Sequence, residues 1–130
     1  MTKTTLSVRM ACLLAGVLGL AGCGGARLYQ AAKTSSCLHA HGAVIAKPRG
    51  DFVASTATSG AFRARLAANV VTIVFSSSVA RANDIVAGYE RFAARNVGVA
   101  TVLFKDRNAV TLWHLAPNSS DVSFVKACLS

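Results

Sequence analysis

Residues 61–75 read AFRARLAANVVTIVF, and their alternation decides what kind of fold this chain makes. Phe62, Ala64 and Leu66 alternate with Arg63 and Arg65. After a break at Ala68-Asn69, Val71, Ile73 and Phe75 alternate with Thr72 and Val74. A period of two sends successive side chains to opposite faces of a strand, so two such runs around a short break predict an antiparallel hairpin. The same reading of residues 99–105 and 109–115 predicts a second hairpin, turning at Asp106-Arg107-Asn108.

Outward from the hairpins the period becomes helical. Over residues 27–41, Leu28, Ala31, Ala32, Ser35 and Leu38 recur at helical spacing, and Gly42 is placed to stop that helix. Ser76-Ser77-Ser78 offers caps for a helix over 79–96, whose Ala82, Ile85, Val86, Tyr89, Phe92 and Ala93 form one apolar stripe. Pro117-Asn118-Ser119-Ser120 opens a final helix carrying Val122, Val125 and Leu129. Residues 43–46 (AVIA) are expected to form a short strand ended by Lys47-Pro48, and 49–60 a small-residue loop.

The resulting order, α-β-ββα-ββα, contains a candidate repeat. Asn69-Val70-Val71-Thr72-Ile73-Val74-Phe75 parallels Asn108-Ala109-Val110-Thr111-Leu112-Trp113-His114, and each hairpin leads into a Ser-capped helix. An internal duplication and shared turn chemistry both account for this pattern. One-sided helices and amphipathic hairpins bury their apolar faces against each other. The expected class is therefore α+β: a two-layer sandwich with an antiparallel sheet from two hairpins and helices on one face.

An antiparallel sheet leaves its other face free to meet solvent or a partner. With Phe62, Leu66, Val71, Ile73, Val110 and Leu112 toward the helices, the open face carries Arg63, Arg65, Thr72, Val74, Thr111, Trp113 and Lys105. Of these, Arg63, Arg65, Thr72, Thr111 and Trp113 are the candidate binding surface, because Arg and aromatic residues are enriched in binding hot spots. The alternative is that Trp113 is core, since a register slip of one residue exchanges the two faces.

The chain has 130 residues, 53% apolar and 15% charged, which suits one packed domain and excludes both a disordered chain and most multi-domain enzymes. Its mean hydropathy of +0.47 owes much to the N-terminus. Lys3 and Arg9 precede an uncharged run over 10–22, MACLLAGVLGLAG, that ends at Cys23. A helix of that length rises only about 20 Å against roughly 30 Å of hydrocarbon, so the run reads as a targeting segment rather than a permanent span.

Leu20-Ala21-Gly22-Cys23 resembles the lipobox of bacterial lipoproteins: a Leu, two small residues and a Cys directly after the apolar run. The resemblance implies removal of the signal peptide, residues 1–22, diacylglyceryl transfer to the Cys23 thiol, and acylation of the new amino group by a chain such as palmitate. Residues 23–27 would form a lipidated tether and 28–130 a single domain, exported and anchored to the cell membrane or outer membrane, facing away from the cytoplasm. Gly24 stands where an Asp retains some lipoproteins in the inner membrane. Two or three acyl chains anchor stably. Ordinary signal cleavage after Ala26 is the rival reading.

On that processing the four cysteines divide. Cys12 leaves with the signal and Cys23 is lipidated, while Cys37 and Cys128 are expected to pair in an oxidising compartment. A thiol site with His39 or His41 is the alternative. The charge also changes: with Lys3 and Arg9 gone, 12 basic residues stand against 5 acidic ones, a net +7.

No catalytic motif emerges. Ser123-Phe124-Val125-Lys126 matches S-x-x-K without the other motifs of the enzymes that use it, and reads as a solvated helix face. The five acids, Asp51, Asp84, Glu90, Asp106 and Asp121, are scattered, which gives a paired-carboxylate site little material. His39 and His41, two apart, point to different sides of a helix and lack a third ligand, so no metal and no cofactor are expected. Arg49-Gly50-Asp51 reads as a tight turn. The expectation is a non-enzymatic envelope protein that contacts the membrane through its lipid, and another envelope protein or an anionic polymer through the sheet face and basic surface. Nucleic acid is excluded by export. The alternative is a small envelope hydrolase, favoured if a histidine converges with Ser or Asp in a pocket.

Overall fold

The computed structural model of the chain describes residues 25–92 and 99–130. The expected signal peptide, Cys12, the lipobox-like residues 20–22 and Cys23 lie outside the described residues, as does the predicted end of the helix at 79–96, with Ala93 of its apolar stripe. Among the described residues, four helices and five strands follow in the order α1 (Ala31–Ala40), β1 (Val44–Ala46), α2 (Phe52–Ser55), β2 (Ala61–Arg65), β3 (Val70–Phe75), α3 (Ala82–Phe92), β4 (Leu103–Asp106), β5 (Ala109–Trp113) and α4 (Ser119–Cys128).

The fold class is α+β. Both predicted hairpins are present, β2–β3 and β4–β5, and the sheet runs β1-β2-β3-β5-β4 with every pair antiparallel. Two turn asparagines do equivalent work. Asn69 is buried, its Oδ1 accepting from the Val70 and Leu115 amides while its Nδ2 donates to the Leu115 carbonyl. Asn108 is buried as well; its Nδ2 donates to the carbonyls of Tyr29 and Ser76, and its Oδ1 accepts from the Tyr29 amide. The turn residue before it, Arg107, sits in the left-handed region at φ 50. Beyond the hairpins the two ββα segments diverge, because α3 and α4 pack on opposite faces of the sheet.

That layering differs from the expectation of helices on one face. Leu38 of α1 and Val125 and Cys128 of α4 share a core with Phe62, Ala64, Val71, Ile73, Phe75 and Trp113. Ala54 of α2 and Ala82 and Tyr89 of α3 share another with Val74 and Val110, flanked by Ala61, Leu103 and Leu112. The reason lies in β3. Its run VVTIVF is apolar at five of six positions and buried from Val71 to Phe75, the mark of a strand covered on both sides rather than one.

The helix ends follow local chemistry. Asn118 Oδ1 accepts from the Asp121 amide at 2.8 Å to open α4, and Ser78 Oγ accepts from the Arg81 amide ahead of α3. Gly42, at φ +94, closes α1 as expected. Residues 27–30, assigned to that helix by periodicity, lie outside it instead, with Gln30 in extended backbone as the N-cap of α1. Their polar groups bond elsewhere: the Tyr29 amide to Asn108, the Gln30 amide to the Ser130 carbonyl at 2.6 Å. A short helix, α2, stands inside the expected loop, capped by Asp51 Oδ1 on the Ala54 amide at 2.9 Å. Arg49-Gly50-Asp51 is a turn, with Gly50 at φ +76.

Cys37 and Cys128 form the expected disulfide, joining α1 to α4 across 91 residues. No described helix is long and apolar enough to cross a membrane.

Candidate binding cleft

Among the described residues, the sheet face under α2 and α3 is only partly covered. The floor left between them comes from Arg63 on β2, Val70 and Thr72 on β3, and Leu112 on β5. Phe52 and Val53 of α2, Tyr89 and Phe92 of α3, and Val99 and Val102 wall it, enclosing a cleft of about 1000 Å3. Apolar walls with a few convergent polar groups are the usual composition of a binding site.

Its polar groups are held in place by the fold. Tyr89 OH donates to Asp51 Oδ2 at 2.8 Å, while the other carboxylate oxygen caps α2. Burial, then the adjoining Asp51 carboxylate, raises the Tyr89 phenol far above its ordinary pKa, against a smaller opposing effect of the Arg63 charge. Tyr89 therefore stays a neutral donor, and Asp51 has both oxygens engaged. At the rim Phe52 and Phe92 meet edge to face at 5.6 Å yet remain 67% and 65% exposed, two aromatic rings open to a partner.

The five residues of the expected surface do not share it. Arg63 and Thr72 are paired across β2 and β3 and line the cleft, Arg63 half-buried and Thr72 only 5% exposed. Arg65 lies on the same face at the exposed end of β2. Thr111 and Trp113 pair with Ile73 and Val71, which places them on the α1–α4 face. Trp113, which borders the cleft's end, is 4% exposed and belongs to the core. The physical cause is a one-residue difference in the facing of β5: Val110 and Leu112 face α2 and α3, not α1 and α4. An open, flat sheet face is thus replaced by a cleft.

The histidines separate. His114 lines the cleft, together with Asp51 and Thr72. His39 is exposed in the last turn of α1, and His41 stacks edge to face against Phe124 at 6.3 Å. The sulfurs of Cys37 and Cys128 and a His41 ring nitrogen lie within 4.8 Å of one another. With the sulfurs bonded to each other, that group presents only an imidazole. Ser123 and Lys126 are both exposed on α4.

Periodicity missed Phe52, Val53 and Asp51, because a four-residue helix is too short to show a period. The legible signal was Asp51 three residues ahead of Ala54, an N-cap spacing. Comparison with family models, with curated proteins and with solved structures finds no match to this chain.

Proposed function

We propose that this chain is a lipid-anchored cell-envelope protein that works by binding, with the cleft between α2, α3 and the sheet as its contact site. The anchor rests on the lipobox, Leu20-Ala21-Gly22-Cys23, and the exported setting agrees with a disulfide-closed domain. The observation that carries the binding site is the exposed Phe52–Phe92 pair at the mouth of an apolar cleft with Arg63 in its floor. Apolar walls favour an envelope protein over an anionic polymer, with aromatic or aliphatic side chains seated against the exposed ring faces and an acidic group toward Arg63.

A photo-crosslinking residue at Phe52 in intact cells tests this. The expected result is one defined adduct, lost with Arg63→Glu, and none from the same residue at Ser123 on the opposite layer. An adduct equally strong from Ser123, or none from Phe52, defeats the reading.

That His114, Asp51 and Thr72 line the same cleft favours a second reading, a small envelope hydrolase with His114 as base. Against it, Asp51 already accepts from Tyr89 and from the α2 cap, and among the described residues no hydrogen bond joins it to His114. Labelling of Thr72 by a fluorophosphonate probe, abolished by His114→Ala, would establish this alternative.

A further inference from the structure

The chain reaches the domain along a defined path. The Arg27 carbonyl accepts from the Arg107 guanidinium at 3.2 Å, that guanidinium lies 5.1 Å over the Tyr29 ring, and the Tyr29 amide and carbonyl are both bonded to Asn108. Residues 27–29 are thereby fastened to the β4–β5 turn. The loop after β3 lies beside that turn, since the Ser76 amide donates to the Asn108 carbonyl at 2.9 Å. Lys105 Nζ donates to Asn83 Oδ1 at 2.6 Å, bringing the first turn of α3 to the same end.

From this geometry we infer that the β4–β5 turn is the bilayer-facing end of the domain, where Arg27, Lys105 and Arg107 engage anionic phospholipid headgroups. The inference rests on the lipoprotein reading of Cys23. Three residues, Gly24, Gly25 and Ala26, stand between Cys23 and Arg27, so four chain steps span at most about 14 Å when extended. A domain of this size has a radius of gyration of about 13 Å, so its far end is out of reach of the headgroups when the near end is held there.

The chemistry of this end fits. Arg27, Arg81, Lys105 and Arg107 are exposed, and so are two apolar side chains among them, Leu28 and Val79. Cations around exposed apolar groups are the composition of surfaces that rest on a bilayer interface. Two acids, Asp84 and Asp106, share this end. Asp106 is half-buried and within 3.4 Å of the Tyr29 hydroxyl. The opposite end, at the β2–β3 turn, presents Ala67, Ala68 and one cation, Arg65, to solvent.

The test uses the full acylated protein in vesicles of phosphatidylcholine, alone or mixed with phosphatidylglycerol. A fluorescent amino acid is placed at Val79 or at Ala67, and quenching by headgroup spin labels is read. Severalfold stronger quenching at Val79 is expected. Phosphatidylglycerol is expected to increase it, and the combined Arg27→Glu, Lys105→Glu and Arg107→Glu variant to lose that increment. The comparison of the two positions in the unaltered background does not depend on how the charge variant folds. Acyl mass on Cys23, measured in the same samples, separates two failures. Acylated protein quenched equally at both positions, or indifferent to phosphatidylglycerol, overturns the orientation alone. Protein without acyl mass overturns the anchor and the orientation with it.

Discussion

Tyr89 OH donates to Asp51 Oδ2 at 2.8 Å, a hydrogen bond that ties α3 to the cap of α2 across one wall of the cleft. Because Asp51 Oδ1 also holds the Ala54 amide, the two residues differ in what they support. Asp51→Ala loses a cap and a charge-assisted bond and is expected to cost about 2 to 4 kcal/mol. Tyr89→Phe loses only the bond, at about 1 to 2 kcal/mol. Denaturant titrations of both and of the double variant check this; equal costs for the two single variants would show that the cap contributes nothing.

The Tyr89 phenol also sets an alkaline limit. Its folded pKa is raised above the ordinary 10.0, chiefly by burial and next by Asp51, so the folded state keeps a proton that the unfolded chain releases. Stability is then fully present below pH 10 and falls as pH rises above it, since the unfolded state binds fewer protons there. Tyr29, raised by burial and Asp106, contributes in the same direction. Tyr89→Phe is expected to flatten the fall without abolishing it, as read from unfolding free energies between pH 9 and 11. An unchanged slope would place the phenol's ionisation elsewhere.

The Cys37–Cys128 bond closes a loop with a sequence separation of 91 residues. The chain-entropy model assigns such a closure about 4 to 5 kcal/mol. Replacing both cysteines by alanine is expected to lower stability by an amount of that order. The unaltered domain is expected to give no reaction with thiol reagents until reduced, apart from Cys23 if it is unacylated.

Trp113 is the chain's one tryptophan, and it is packed with Val71 and Ile73. Its emission is expected to be blue-shifted and poorly quenched by iodide in the native state. Trp113→Ala is expected to cost about 3 to 5 kcal/mol, against about half a kcal/mol for a surface position. A red-shifted native spectrum would return it to the surface.

The sequence by itself determined what depends on neighbours along the chain. Alternation marked both hairpins, the breaks at Ala68-Asn69 and Asp106-Arg107-Asn108 marked their turns, Gly42 marked the end of α1, and cysteine accounting singled out the pair that bonds. The α+β class follows from these. Residues 27–30 show the limit of periodicity: their helical spacing is real, but hydrogen bonds to Asn108 and Ser130 hold them out of the helix. Only the tertiary structure decided which way each strand faces. A period of two reads identically in both facings, so Val110 and Trp113 exchange layers on a one-residue difference that nothing local resolves. The same decision put α3 and α4 on opposite faces, buried the tryptophan, and left Arg63 and Thr72 beneath a cleft walled by a helix too short to announce itself.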